Sequence, residues 1–321
     1  MSSRAHISGS LPIASDRPRM LVVGAGPGYR ALQRELQDLN GTGPEIVGQL
    51  ASVVPGPGHP WAYLGDLDGL AELLTPQRIS DVAVCLDRAE LSRVSEIART
   101  CSERGIRMSI PVPKVQAVGW RSIVERRTKR ALDISGATVG LILAMPVLVI
   151  AALAILVIDG RPVFFRQLRA GIRGRPFMIL KYRTMQPDAD GLRDRLRSSN
   201  EISGAAFKME GDPRVTRIGR WLRRTSIDEL PQLWNVLRGE MSLVGPRPHP
   251  YDDIARYDPW HLRRLSVTPG LTGLWQVELR GDVDFDKWVA KDIEYIDHWS
   301  VWLDIKLIAR TIPAVLRGTG R

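Results

Sequence analysis

Residues 134–158 carry no charge, and 25 such residues in a helix are enough to cross the roughly 30 Å hydrocarbon core of a bilayer. The run must lie in lipid or inside a protein core, and its length and uniform apolarity disfavour the core. One straight span is the simplest arrangement, but two features oppose it. Pro146 stands at the midpoint, where it costs about 3 kcal/mol in an unbroken helix. Basic residues flank both ends: Arg126, Arg127, Lys129 and Arg130 before, and Arg161, Arg166, Arg169, Arg173 and Arg175 after. Basic flanks stay in the cytoplasm, and a straight span cannot keep both there. A helix bent at Pro146 can, with halves of about 12 residues, roughly 18 Å each, that enter one leaflet and return. The carbonyls freed at Met145 and Pro146 then need partners, for which Ser135 and Thr138 are candidates.

A dense cationic stretch lies further on. Arg220, Arg223, Arg224, Arg238 and Arg247 surround two adjacent acids, Asp228 and Glu229, and the stretch closes on Gly245-Pro246-Arg247-Pro248. Guanidinium forks match phosphate oxygens two at a time. Carboxylates hold Mg2+, which neutralises phosphates. Both groups in one segment point to phosphoryl chemistry on a multiply charged substrate. The same acids admit a structural reading. Ser226-Ile227-Asp228-Glu229 fits a capping box, with Ser226 as N-cap and Glu229 reaching back, although Pro231 suits a cap nearer Asp228.

Six blocks stand in order: Phe164-Phe165-Arg166-Gln167, Lys181-Tyr182-Arg183-Thr184-Met185, Asp212-Pro213-Arg214-Val215-Thr216, Arg223 to Glu229, Gly245 to Pro248, and Pro269-Gly270-Leu271-Thr272-Gly273-Leu274-Trp275-Gln276-Val277. From about Lys129 to the C-terminus the chain resembles the bacterial sugar transferases, the monotopic polyprenyl-phosphate phosphoglycosyl transferases that initiate exopolysaccharide, capsule and O-antigen synthesis. It departs from them after Val277, where Glu278-Leu279 replaces small residues before Arg280. The resemblance implies transfer of a sugar 1-phosphate from a nucleotide diphospho-sugar, of the UDP-hexose type, to polyprenyl (undecaprenyl) phosphate. It implies Asp228 as the covalent nucleophile and Glu229 as its partner, both near Mg2+. Lys181, Arg223, Arg247 and Arg280 would clamp phosphates, with a helix N-terminus adding donors. It also implies a re-entrant helix broken at Pro146 and placement at the cytoplasmic face of the bacterial inner membrane. Arg220, Arg224 and Arg238 read as solvated surface charges. His249 reads as a surface residue or one behind the site.

The formal net charge of +10 fits an anionic membrane or a phosphorylated substrate, and no nucleic-acid motif accompanies it. Cys85 and Cys101 lack metal-ligand or C-x-x-C spacing and read as reduced cytosolic thiols. The fold class is α/β. Residues 1–18 read as a disordered tail, 19–115 as a Rossmann-like parallel-sheet module, and 116–130 as a basic linker. Residues 131–160 follow as the re-entrant membrane helix and 161–321 as a mainly α-helical catalytic domain. In the module, strands at Met20–Val23, Glu45–Ala51, Asp81–Leu86 and Arg107–Val112 alternate with helices at Tyr29–Leu39, Asp66–Leu74 and Ala89–Arg104. The turn Gly24-Ala25-Gly26-Pro27-Gly28 invites a dinucleotide, but Tyr29 stands where a third glycine belongs. Glycines serving only a tight turn are the preferred reading. Two other functions stay open: a nucleotide-sugar oxidoreductase using the module, and a membrane-docked scaffold without turnover. A homo-oligomer paired through the module is a further expectation. Near the C-terminus, Trp288, Trp299 and Trp302 interleave with Lys287, Lys291, Lys306, Arg310 and Arg317, as in a headgroup-contacting segment or an ordinary amphipathic helix.

Overall fold

Short apolar runs alternating with turns and amphipathic helices build the first third of the chain. A computed structural model describes residues 17–26, 28–54, 59–112, 123–187, 189, 192, 196, 200–206, 209, 211–279 and 281–316. The chain divides into two units, Met1–Pro113 and Lys114–Arg321.

The first unit is a five-stranded sheet in the order β3-β2-β1-β4-β5, every pair parallel. Its strands are β1 Arg19–Val23, β2 Glu45–Leu50, β3 Tyr63–Gly65, β4 Asp81–Val84 and β5 Arg107–Ser109. The helices are α1 Gly28–Asp38, α2 Leu70–Leu73 and α3 Val94–Glu103. This is the doubly wound arrangement that the alternation predicts. The three-residue β3 has too little pattern to register in the sequence, and it falls between the elements expected there. The expected helices at Asp66 and Ala89 begin instead as 3-10 turns.

Gly24 and Gly26 of the glycine turn pack against the chain's own strands. Gly24 N donates to Leu50 O and Gly26 N donates to Cys85 O, so two amides that would meet a pyrophosphate are spent on strand ends. A Cβ on Gly26 would stand 2.4 Å from the Leu86 backbone, and one on Gly24 2.7 Å from Cys85 O. The glycines admit the chain's own backbone, which removes the sequence ground for the oxidoreductase reading.

In the second unit α4 runs over Ile123–Ile158, 36 residues with Pro146 inside. Residues 123–130, expected as linker, are therefore the first turns of this helix. The helix is long and apolar enough to cross a membrane, and only 11% of its most apolar window is buried, which excludes an ordinary core helix. Helical structure continues through Pro146 without a break. Ser135 does not serve the proline, because its hydroxyl donates to Ala131 O and Leu132 O.

One stripe of α4 packs on the domain over its whole length. Lys129, Asp133, Ala137, Ala151 and Ile155 are buried, spaced by single or near-integral numbers of turns. Near one end Ala137 joins Phe177, Ile179, Leu233, Val236 and Met241. Near the other Ala151 and Ile155 join Tyr182 and Leu222. Gly136 allows close approach, since a Cβ there would lie 2.6 Å from the Leu243 side chain. The remaining circumference, including Ile142, Leu143, Ile150, Leu153 and Val157, is exposed.

Both ends of the stripe are tied by polar contacts. Lys129 Nζ donates to Asp304 Oδ2 at 2.6 Å and to Val244 O at 3.0 Å, and both side chains of the ion pair are almost fully buried. Arg130 donates to Val236 O and Leu237 O. At the far end Arg183 donates to Asp159 O and Gly160 O, while Thr216 Oγ1 donates to Asp159 Oδ2 at 2.6 Å.

Around α4 lie an antiparallel hairpin, β6 Phe164–Ala170 with β7 Pro176–Tyr182, and a parallel pair, β8 Ser242–Val244 with β9 Gly270–Thr272. The helices are α5 Arg217–Arg224, α6 Leu233–Arg238, α7 Tyr251–Ile254, α8 Leu274–Glu278, α9 Phe285–Asp297 and α10 Val301–Leu316. Of the three tryptophans expected at headgroups, Trp288 and Trp299 are buried in the domain and Trp302 is 73% exposed. Apolar packing between α9, α10 and β8 claims Trp299, and Trp288 stacks on Trp275 of α8. Lys291 and Arg310 are held by Glu278, and Lys287 by Asp282.

Replacing Lys129 by Met leaves Asp304 buried without its cation. The expected cost is about 3–5 kcal/mol, read as a lowered thermal midpoint of the detergent-solubilised protein. Ser135→Ala, which touches only its own helix, is the near-neutral control.

Candidate functional site

The acids stand on a 3-10 turn, Ile227–Gln232, between α5 and α6. The preceding Ser226 is left-handed at φ 56° and makes no side-chain cap. The capping box is therefore not formed, and Glu229 does not reach back to Ser226. A turn of six residues is also too short to supply the helix N-terminus expected beside Asp228. A left-handed serine costs of order 1 kcal/mol, and here it turns the chain out of α5 so that both acids face β7.

Glu229 is held between two cations. Lys181 Nζ, at the end of β7, donates to Oε1 at 2.7 Å. Arg247 donates to Oε1 at 2.5 Å and to Oε2 at 3.3 Å. Burial works to raise the Glu229 carboxyl, but Arg247 and Lys181 outweigh it and hold it well below the usual carboxylate range. Burial lowers the Lys181 ammonium against the pull of Glu229.

Asp228 is 8% exposed, and no hydrogen bond to its carboxylate is present among the described residues. Burial first, and then the Glu229 charge, push its carboxyl up to about 6, against the attraction of Lys181, Arg223 and Arg247. Arg223 is oriented by Thr184, whose hydroxyl accepts from Nε at 2.9 Å. Adjacent carboxyls driven in opposite directions by their surroundings are a common sign of divided roles.

Arg247 arrives through a close crossing of two glycine blocks. A Cβ on Gly245 would stand 2.6 Å from Thr268 O, one on Gly270 2.0 Å from Gly245 N, and one on Gly273 2.6 Å from Gly245 O. No side chain fits at this crossing, which fixes the loop two residues before Arg247. Behind it, Arg264 donates to Arg247 O and pairs with the buried Asp292. His249 is buried rather than on the surface. Burial, then Arg264, push its imidazole down to about 3, so it is neutral and packs against Tyr257 and Phe285.

The structure thus brings Lys181, Arg223, Asp228, Glu229 and Arg247 together. Arg280 lies outside the described residues. Thr184 was not singled out from the sequence, although it belongs to the Lys181–Met185 block that was. Among the described residues no cluster of three or more His, Cys, Asp or Glu forms a ready metal cage. Asp228 is open to a cation, whereas both oxygens of Glu229 are taken by Lys181 and Arg247. An Mg2+ at this site would meet an Asp228 carboxylate with no hydrogen bond among the described residues and a Glu229 already engaged by two cations.

An exposed apolar helix long enough to cross a membrane is thus joined to a site of paired acids and clustered cations. The chain belongs to the bacterial sugar transferase family, whose model matches residues 124–318. It is 48% identical over 193 residues to "Galactosyl transferase CpsE" of Streptococcus agalactiae, covering 60% of this chain and 43% of that protein. It is 46% identical over 215 residues to "UDP-glucose:undecaprenyl-phosphate glucose-1-phosphate transferase" of Caulobacter vibrioides, covering 64% and 73%. It is 40% identical over 199 residues to "Undecaprenyl-phosphate galactose phosphotransferase" of Salmonella typhimurium, covering 61% and 42%. The chain thus spans less than half the length of two of these three relatives.

The raised Asp228 pKa has a stability consequence of definite sign. The folded state holds this proton more tightly than the unfolded chain, so the group costs nothing below about pH 4 and its full penalty above about 6. Asp228→Asn is expected to raise stability by about 1–3 kcal/mol at pH 7.5 and by little at pH 4, measured as the difference in thermal midpoints.

Proposed function

We propose that this chain transfers a sugar 1-phosphate from a nucleotide diphospho-sugar to polyprenyl phosphate through a phosphosugar–aspartate intermediate. The observation that carries it is the contrast between the acids: Asp228 is unbonded among three cations, while Glu229 is bound by two of them. The printed activities of the relatives support the same reaction class.

In this reading an Asp228 oxygen attacks the sugar-bearing phosphorus. The bond from that phosphorus to the bridging oxygen breaks, and the nucleoside monophosphate leaves with the electron pair. An oxygen of polyprenyl phosphate then attacks the same phosphorus and breaks its bond to Asp228. The products are polyprenyl diphosphate sugar and the restored carboxylate. Lys181, Arg223 and Arg247 offset repulsion between the carboxylate and the diphosphate. Glu229 bridges two of these cations in the resting site, offsets part of their charge and keeps them aimed. Arg280 joins the clamp in the same reading. Mg2+ held at Asp228 would supply further charge neutralisation to the diphosphate.

The helix supports a monotopic arrangement at the cytoplasmic face. A stripe from Lys129 to Ile155, roughly 39 Å long, lies on one domain. A helix tied to that domain at both ends does not deliver its ends to opposite sides of a bilayer. The basic flanks favour the cytoplasmic side.

Asp228→Asn is expected to lower release of nucleoside monophosphate by at least about a thousandfold while the protein stays folded. Near-wild-type release from the Asn variant would end the covalent reading. In the wild type, kcat/KM should rise with pH through about 6 and then level. Cysteines placed singly at Arg126 and Arg166 should both resist a membrane-impermeant thiol reagent in intact cells. Labelling of one flank from outside would show a true span.

A further inference from the structure

Helix α5 has a face that the proposed reaction does not use. Arg217, Arg220, Trp221 and Arg224 are exposed together, while Gly219 and Leu222 are buried on the other side. Trp221 is 51% exposed and stands among these cations on the same helix. No hydrogen bond or ion pair engages the guanidinium of Arg217, Arg220 or Arg224 among the described residues. Among the described residues, Arg217, Arg220 and Arg224 thus bring three unpaired guanidiniums together on one eight-residue helix.

The order around the helix gives these residues a direction. At about 100° per residue the circumference reads Leu222, Ile218, Trp221, Arg217, Arg224, Arg220, Arg223. Leu222 and Ile218 pack with Ala151, Ile155 and Leu148 of α4, the helix whose outer side is apolar and exposed. Arg223, at the other edge, donates to Thr184 and faces Asp228. The surface therefore passes from lipid-compatible side chains through one amphipathic ring to unpaired cations, and from them to the acids. Tryptophan at the boundary with arginines beyond it is the sequence of groups a bilayer presents in reverse, acyl chain, carbonyl region and phosphate.

We propose that the outer face of α5 docks on phosphate-bearing lipid headgroups at the bilayer surface and passes the anionic lipid acceptor toward Asp228. The inference rests on the membrane reading of α4 and on the proposed acceptor. Its chemistry is charge pairing of Arg217, Arg220 and Arg224 with headgroup phosphates, with Trp221 seated at the level of the glycerol backbone.

The test uses the full chain in nanodiscs of phosphatidylcholine mixed with phosphatidylglycerol, with bromine placed high on the acyl chains of one lipid or the other. The difference in quenching between wild type and Trp221→Phe isolates the signal of Trp221. That difference should be larger when the phosphatidylglycerol carries the bromine. The triple variant Arg217→Gln, Arg220→Gln, Arg224→Gln should lose this preference. It should also raise the KM for polyprenyl phosphate about tenfold, with kcat and the KM for the nucleotide sugar unchanged. A second triple variant, Arg30→Gln, Arg34→Gln, Arg78→Gln, removes the same charge from the first unit and should behave as wild type. Absence of Trp221 quenching by either lipid overturns the proposal. So does a rise in the KM for the nucleotide sugar instead of the acceptor, which would assign the face to the soluble substrate. An inactive wild type would count against the proposed reaction, while the quenching arms would still decide the docking.

Discussion

One carboxylate shared by two cations organises the catalytic unit. Glu229 joins Lys181 at the end of β7 to Arg247 beyond β8, so three segments distant in sequence meet on its two oxygens. Without that anion, Lys181 and Arg247 would repel each other in a site with little water to screen them. With it, their repulsion is offset, whereas Asp228 is buried beside a second carboxylate with no hydrogen bond among the described residues. The raised pKa of Asp228 is the measure of that burden. Evolved sites commonly keep such a group where it destabilises the fold and serves the chemistry.

The polar ties at the two ends of α4 act with this clamp. Lys129 reaches Val244 O, the last residue of β8 before the glycine crossing that leads to Arg247. Arg183, two residues after Lys181, reaches the carbonyls that end α4. The segments that deliver the two cations to Glu229 therefore also hold the apolar helix. Site geometry and helix placement are not independent properties of this domain.

Much of this was legible in the sequence, and for identifiable reasons. Period-two and period-3.6 patterns gave the alternating module, because each element there buries one face. The ordered blocks led to the acids and to Lys181, Arg223 and Arg247. Ser226 misled because a Ser-x-x-Glu pattern reports local backbone preference, whereas long-range ion pairs from Lys181 and Arg247 decided where Glu229 points. For Trp288, Trp299 and His249 the sequence left surface and packed readings both open, and the packed one holds: Trp299 joins the apolar cluster of β8, α9 and α10, Trp288 stacks on Trp275, and His249 packs against Phe285. The stripe of α4 facing the domain was hidden because every residue of the run is apolar or small, so no amphipathic period marks it. Only Gly136, with Lys129 and Asp133 upstream, hints at the packed side.

Adjacent residues of β7 point to opposite faces of the strand, as strand geometry requires. Lys181 meets Glu229, and Tyr182, the next residue, donates to Leu148 O in the middle of α4 at 2.6 Å. The strand is thus a fixed spacer only one side chain deep on each face. A phosphate carried by a lipid keeps a nearly constant height in its leaflet, and this spacer gives the cationic site a constant height as well. For an enzyme of the kind proposed, the encounter becomes a search over a plane, with vertical alignment already set by the backbone of a single strand.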